Sequence, residues 1–77
     1  MKGVTLYGKP GCHLCDEARA ALASLEVAVN EVDVSVDPRL HAEYGERIPV
    51  VEVDGMEVAQ FVVDVSAVRA ALGRVTP

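Results

Sequence analysis

Cys12 and Cys15 are the residues of this 77-residue chain best suited to do chemistry, and they are its only cysteines. They stand three positions apart in Gly8-Lys9-Pro10-Gly11-Cys12-His13-Leu14-Cys15. The thiolate, not the thiol, attacks disulfides and ligates metals. On a helix this spacing stacks the two side chains one turn apart, within reach of a bridging disulfide. Three uses are open: thiol–disulfide exchange, metal or iron–sulfur cluster ligation, and plain packing as small apolar side chains. A zinc site needs four ligands. The chain adds only His13 and His41 to its cysteines, and His13 lies directly beside Cys12, an awkward geometry for one ion. Exchange is therefore the first reading. A metal or cluster held by these cysteines, across a dimer, is the alternative.

Such a site needs elements that favour the anion. Residues 3–7 read as a strand, with Val4 and Leu6 on one face and Thr5 and Tyr7 on the other. A Gly/Pro/Gly loop follows, and from residue 13 to about 26 the pattern is helical, with Leu14, Ala18, Leu22 and Leu25 on one stripe. The sulfurs thus sit where a strand hands over to a helix N-terminus, where unpaired N–H groups and the dipole favour a thiolate. His13, when protonated, adds local charge that favours the Cys12 thiolate, whereas Asp16 and Glu17 oppose it.

Residues 27–34 alternate again, as a half-buried strand at a sheet edge. Strand, helix and strand in this span predict a parallel pair with a right-handed crossover. Asp37-Pro38 is an N-cap followed by a proline at the first helical position, for a short helix running to Tyr44 and stopping at Gly45. Residues 48–53 form a β-rich run with Pro49 near its start, and Asp54-Gly55 signals a type I′ hairpin with a return strand over 56–63. The last helix takes Asp64 or Ser66 as cap, packs Val65, Val68, Ala71 and Leu72, and stops at Gly73. The expected architecture is α/β: one domain over residues 1–77, a four-stranded mixed sheet and three helices in the order βαβ-α-ββ-α.

With 51% hydrophobic residues, the core and not a short-loop disulfide must supply stability. The net charge of −5 and scattered lysines and arginines exclude nucleic acid and anionic membrane surfaces as partners. No signal-peptide core and no membrane-length apolar run is present, so a cytoplasmic monomer is expected.

The chain resembles the glutaredoxin-like proteins of the thioredoxin superfamily. Lys9 to Cys15, Ile48-Pro49-Val50 and Asp54-Gly55 carry the resemblance, which covers essentially all of the sequence. It implies a thioredoxin-like fold, with Cys12 as nucleophile and Cys15 as resolving thiol. It also implies a cis bond before Pro49, backbone groups at Ile48 that pair with an incoming thiol substrate, and Lys9 as a contact for a glutathione carboxylate. The implied substrate is a protein disulfide or a glutathione mixed disulfide, with recycling by glutathione or a thioredoxin-type reductase. No bound cofactor is implied, since the dithiol carries the electrons, and glutathione enters as a cosubstrate. Two departures stand out. His13-Leu14 replaces the family's Pro-Tyr, and Ala59-Gln60 stands where paired glycines hold glutathione after the fourth strand. Only Lys9 and Arg47 are local cations for an anionic ligand. Weak glutathione binding is expected.

Overall fold

The computed structural model describes residues 3–74. Its elements run β1 (Val4–Gly8), α1 (His13–Ala23), β2 (Val29–Asp33), a single 3₁₀ turn (Val34–Val36), α2 (Pro38–Tyr44), β3 (Val50–Val53), β4 (Met56–Gln60) and α3 (Val65–Arg74). One mixed sheet has the order β2-β1-β3-β4. β1 and β2 are parallel, with Val4 opposite Val29 and Gly8 opposite Asp33. β1 and β3 are antiparallel, with Val4 opposite Val53 and Tyr7 opposite Val50, and β4 is antiparallel to β3. The expected thioredoxin-like architecture is the observed one, and β2 is an edge strand.

Alternation along β1 and β3 divides the molecule into two faces. Val4, Leu6, Val51 and Val53 pack on one face against Ala18 and Leu22 of α1 and Val68 and Ala71 of α3. Burying a side chain such as Leu22 stabilises by roughly 1.5–3 kcal/mol, and Leu22 is 1% exposed. On the opposite face Tyr7 meets α2, its ring stacked on that of Tyr44. The Cys12 loop leaves β1 at its C-terminal end, after Gly8.

Local chemistry fixes most boundaries. The Asp37 carboxylate accepts the Arg39 N–H at 2.8 Å ahead of Pro38, as the cap predicts. Asp54 and Gly55 both take positive φ, 50° and 84°, as a type I′ turn requires. Asp64 and not Ser66 caps α3, accepting the Ser66 N–H at 2.9 Å.

Several ends differ from the sequence pattern. Helix α1 stops at Ala23, because the Ser24 hydroxyl donates to the Ala21 carbonyl and Glu26 then takes φ 56°. Strand β2 is confined to Val29–Asp33; the Asp33 carboxylate accepts from both the N–H and hydroxyl of Ser35 and winds the following residues into the 3₁₀ turn. β4 ends at Gln60 and not near Val63, since Phe61 turns the chain with φ 65°. Gly73 lies inside α3 and does not stop it. No helix among the described residues is long and apolar enough to cross a membrane.

Candidate active site

Cys12 is the N-cap of α1, with extended backbone dihedrals of −92° and 113°. Its sulfur accepts the Cys15 N–H at 3.2 Å, so a thiol fills the place usually taken by a serine or aspartate oxygen. A thiolate accepts such a bond more strongly than a thiol. The side chain is half-buried and keeps an open side.

Cys15 is its opposite, with 0% exposure. Gly8 makes the room. A Cβ at that position would stand 3.0 Å from the Cys15 sulfur, closer than ordinary packing allows. Burial pushes the Cys15 thiol up to about 11, reinforced by the hydrogen bond and charge of Cys12; the Lys9 backbone N–H and the Arg19 guanidinium pull the other way. The sequence stripe placed Leu14 inward. Instead Cys15, Ala18 and Leu22 face the core and Leu14 is 40% exposed.

A raised thiol has a consequence for stability. Folded Cys15 holds its proton above its ordinary 9.0, so the native state binds more protons than the unfolded state between about 9 and about 11. The stability it contributes is complete below pH 9 and is lost as pH rises toward 11. Urea midpoints measured across that window are expected to fall with pH in the parent and to fall less steeply in Cys15→Ala.

Cys15 packs with Val34 and Ile48, and Tyr7, Cys12, Leu40 and Tyr44 close around them. The structure therefore brings Cys12, Cys15 and Ile48 together. The Ile48-Pro49 bond is cis. Pro49 is buried and its carbonyl accepts the Phe61 N–H at 2.9 Å. Neither backbone group of Ile48 has a hydrogen-bond partner among the described residues.

The charged candidates are placed differently. Lys9 is exposed and makes no ion pair among the described residues; it lines a cleft of about 430 Å³ with Pro10, Asp16 and Arg19. His13 is 86% exposed and turns along the helix to Glu17, with Nε2 2.8 Å from a carboxylate oxygen. Arg47 is not free for a ligand carboxylate. It bonds Glu57 at 2.7 Å, reaches Glu43 and Gln60, and lies 5.4 Å over the Tyr44 ring. Ala59 and Gln60 are the last residues of β4 itself; the side chains that follow the strand belong to Phe61 and Val62. Among the described residues no three potential metal ligands gather.

One cluster beside the site escapes sequence reasoning. The Tyr7 and Tyr44 rings stack with centroids 4.1 Å apart, and their hydroxyls donate to the two oxygens of Glu52 at 3.2 and 3.1 Å. Burial, with the Glu52 charge adding to it, raises both tyrosines, so both remain donors. Alternation puts Tyr7 and Glu52 on one sheet face, but nothing local points to Tyr44.

A Cys-x-x-Cys at the start of the first helix, on a β2-β1-β3-β4 mixed sheet, defines a thioredoxin-like protein. The family model of the glutaredoxin-like domain (DUF836) matches residues 3–73, and the chain belongs to that family. An uncharacterized protein of Mycobacterium tuberculosis is 35% identical over 82 residues, spanning 95% of this chain and 84% of the relative. The X-ray structure of a structural-genomics target protein from X. campestris is 36% identical, with a TM-score of 0.82 over 96% of this chain and 100% of the other. A glutaredoxin from Brucella melitensis is 28% identical, with a TM-score of 0.62 over 95% of this chain and 80% of the other.

Proposed function

We propose that the protein is a dithiol–disulfide oxidoreductase. The observation that carries this is the asymmetry of the pair: a half-buried Cys12 whose sulfur caps α1, above a fully buried Cys15 whose thiol is pushed up to about 11. Thiolate chemistry belongs to the accessible sulfur. Cys12 attacks one sulfur of a substrate disulfide, forming a mixed disulfide and releasing the other substrate sulfur as a thiolate, which takes up a proton. Cys15 then gives up its proton and attacks the Cys12 sulfur. The substrate's second thiol leaves, and the Cys12–Cys15 disulfide holds the oxidising equivalents. Burial is the main reason Cys15 keeps its proton; engaging Cys12 in a mixed disulfide removes the lesser contributions, the hydrogen bond and charge of Cys12. Resolution therefore becomes easier once it is needed.

The unpaired backbone of Ile48 and the Lys9 ammonium are the groups available to align a substrate chain. Two molecules of glutathione, or the dithiol of a thioredoxin-type reductase, supply the electrons for the return step. A protein disulfide is favoured over a glutathione mixed disulfide as substrate, and the protein acts as a cytoplasmic monomer. Phe61 and Val62 present side chains after β4, Arg47 is engaged, and the charge of −5 opposes an anionic tripeptide.

Turnover of insulin disulfides and of a glutathione mixed disulfide, each coupled to either reductant, tests this. Rates above those of free dithiothreitol, higher with insulin, are expected. Rates equal to the free dithiol overturn the oxidoreductase reading, and efficient turnover saturating at low glutathione overturns the substrate preference. Metal and iron content of the freshly isolated protein decides the competing ligation reading.

A further inference from the structure

Phe61 has a backbone that a bulky side chain rarely adopts, with φ 65°. The Val62 N–H donates to the Gln60 carbonyl at 2.8 Å and closes a three-residue turn around it. This positive-φ γ-turn is rare and strained, and glycine would adopt it without cost. Core burial does not account for phenylalanine there, since the residue is 44% exposed. Strain held at an exposed position points to function.

The surroundings show which function. Phe61, Leu14 and Val62 line a cleft of about 170 Å³ between α1 and the turn after β4. Leu14 and Val62 are themselves 40% and 74% exposed. Both walls are tied to elements of the redox site: Leu14 lies between the two cysteines in the chain, and the Phe61 N–H is bonded to the Pro49 carbonyl. Glu17 lines the cleft, 2.8 Å from the exposed His13 imidazole, and Asp64 lies beyond Val62, whereas Glu57 there is paired with Arg47.

We propose that Phe61 is a specificity-determining residue, forming with Leu14 and Val62 a subsite for an apolar side chain next to the reactive cysteine of a basic polypeptide substrate. The inference rests on the oxidoreductase reading and names its substrate class. The apolar wall selects a leucine- or phenylalanine-like side chain. Glu17, Asp64 and a net charge of −5 select lysine or arginine nearby. The unpaired Ile48 backbone suits an extended peptide rather than a small disulfide.

The test uses two disulfide-linked peptides, one with Cys-Leu-Lys and one with Cys-Gly-Gly, and the parent, Phe61→Gly, Phe61→Leu and, as a control outside the cleft, Met56→Ser. The parent is expected to favour the leucine peptide by on the order of tenfold in kcat/KM. Phe61→Gly should bring that ratio close to one through KM while its melting temperature holds or rises, because the strained turn relaxes. Phe61→Leu should recover much of the ratio, and Met56→Ser should keep it. No preference in the parent, or an undiminished one in Phe61→Gly, overturns the subsite. If neither peptide is turned over, the oxidoreductase reading falls instead. Calorimetric binding of the serine analogue, Ser-Leu-Lys, then judges the subsite: tighter binding to the parent than to Phe61→Gly supports it, and equal binding overturns it.

Discussion

Cys12→Ser is expected to end disulfide turnover, whereas Cys15→Ser should stop halfway and accumulate a covalent complex with its substrate. A serine hydroxyl at position 12 keeps a helix cap but supplies no nucleophile at neutral pH. The loss should be roughly 10³-fold or more. At position 15 the change is nearly isosteric in a buried site, and the Lys9 N–H that acts on the Cys15 sulfur can serve the new hydroxyl. Cys12 then still attacks, but nothing resolves the mixed disulfide. Intact-mass analysis under non-reducing conditions should show substrate attached to Cys15→Ser at Cys12 and to neither the parent nor Cys12→Ser. A complex trapped on Cys12→Ser through Cys15 would reverse the two roles. A complex on neither variant, with the fold intact, would remove exchange altogether.

The parts of this site that were legible in the sequence are those written in local chemistry. Gly8 to Cys15 declares a strand-to-helix handover because glycine, proline and a capping sulfur act within a few residues of themselves. Asp37-Pro38 and Asp54-Gly55 are equally local, and both occur where expected. Choices made by tertiary packing were not legible. Leu14 and Cys15 are adjacent apolar residues on a helix, and which one turns inward depends on the missing side chain of Gly8 across the interface. Arg47 looks like a free cation until β4 brings Glu57 within 2.7 Å. A valine-rich run carries no mark of where its strand ends, so the turn at Phe61 stayed hidden. The cis bond before Pro49 was implied by family resemblance alone, because proline content does not select the isomer.

Glu52→Leu is expected to be among the most destabilising single changes on the α2 face. In the folded protein one carboxylate satisfies two tyrosine hydroxyls, at 3.2 and 3.1 Å, on stacked rings that wall the cluster around Cys15. Removing the acceptor leaves both hydroxyls to find partners in a half-buried site. Each orphaned group costs about 1–3 kcal/mol, so a loss of about 2–4 kcal/mol is expected for the two half-buried hydroxyls, or a fall in melting temperature of roughly 8–32 °C for a domain of this size. One effect opposes it: Glu52 lies directly across the ladder from Glu57, and removing one of two facing like charges relieves repulsion. That relief is small, because Arg47 already neutralises Glu57. Glu52→Gln separates the terms. Its amide oxygen can accept from one tyrosine and its amide N–H donate to the other, so it keeps both contacts while losing the charge. It should cost less than about 1 kcal/mol. Urea midpoints for the two variants, with Tyr7→Phe and Tyr44→Phe as single-hydroxyl controls, measure the ordering. If Glu52→Leu unfolds no more readily than Glu52→Gln, water satisfies the tyrosines and the carboxylate does not hold this wall.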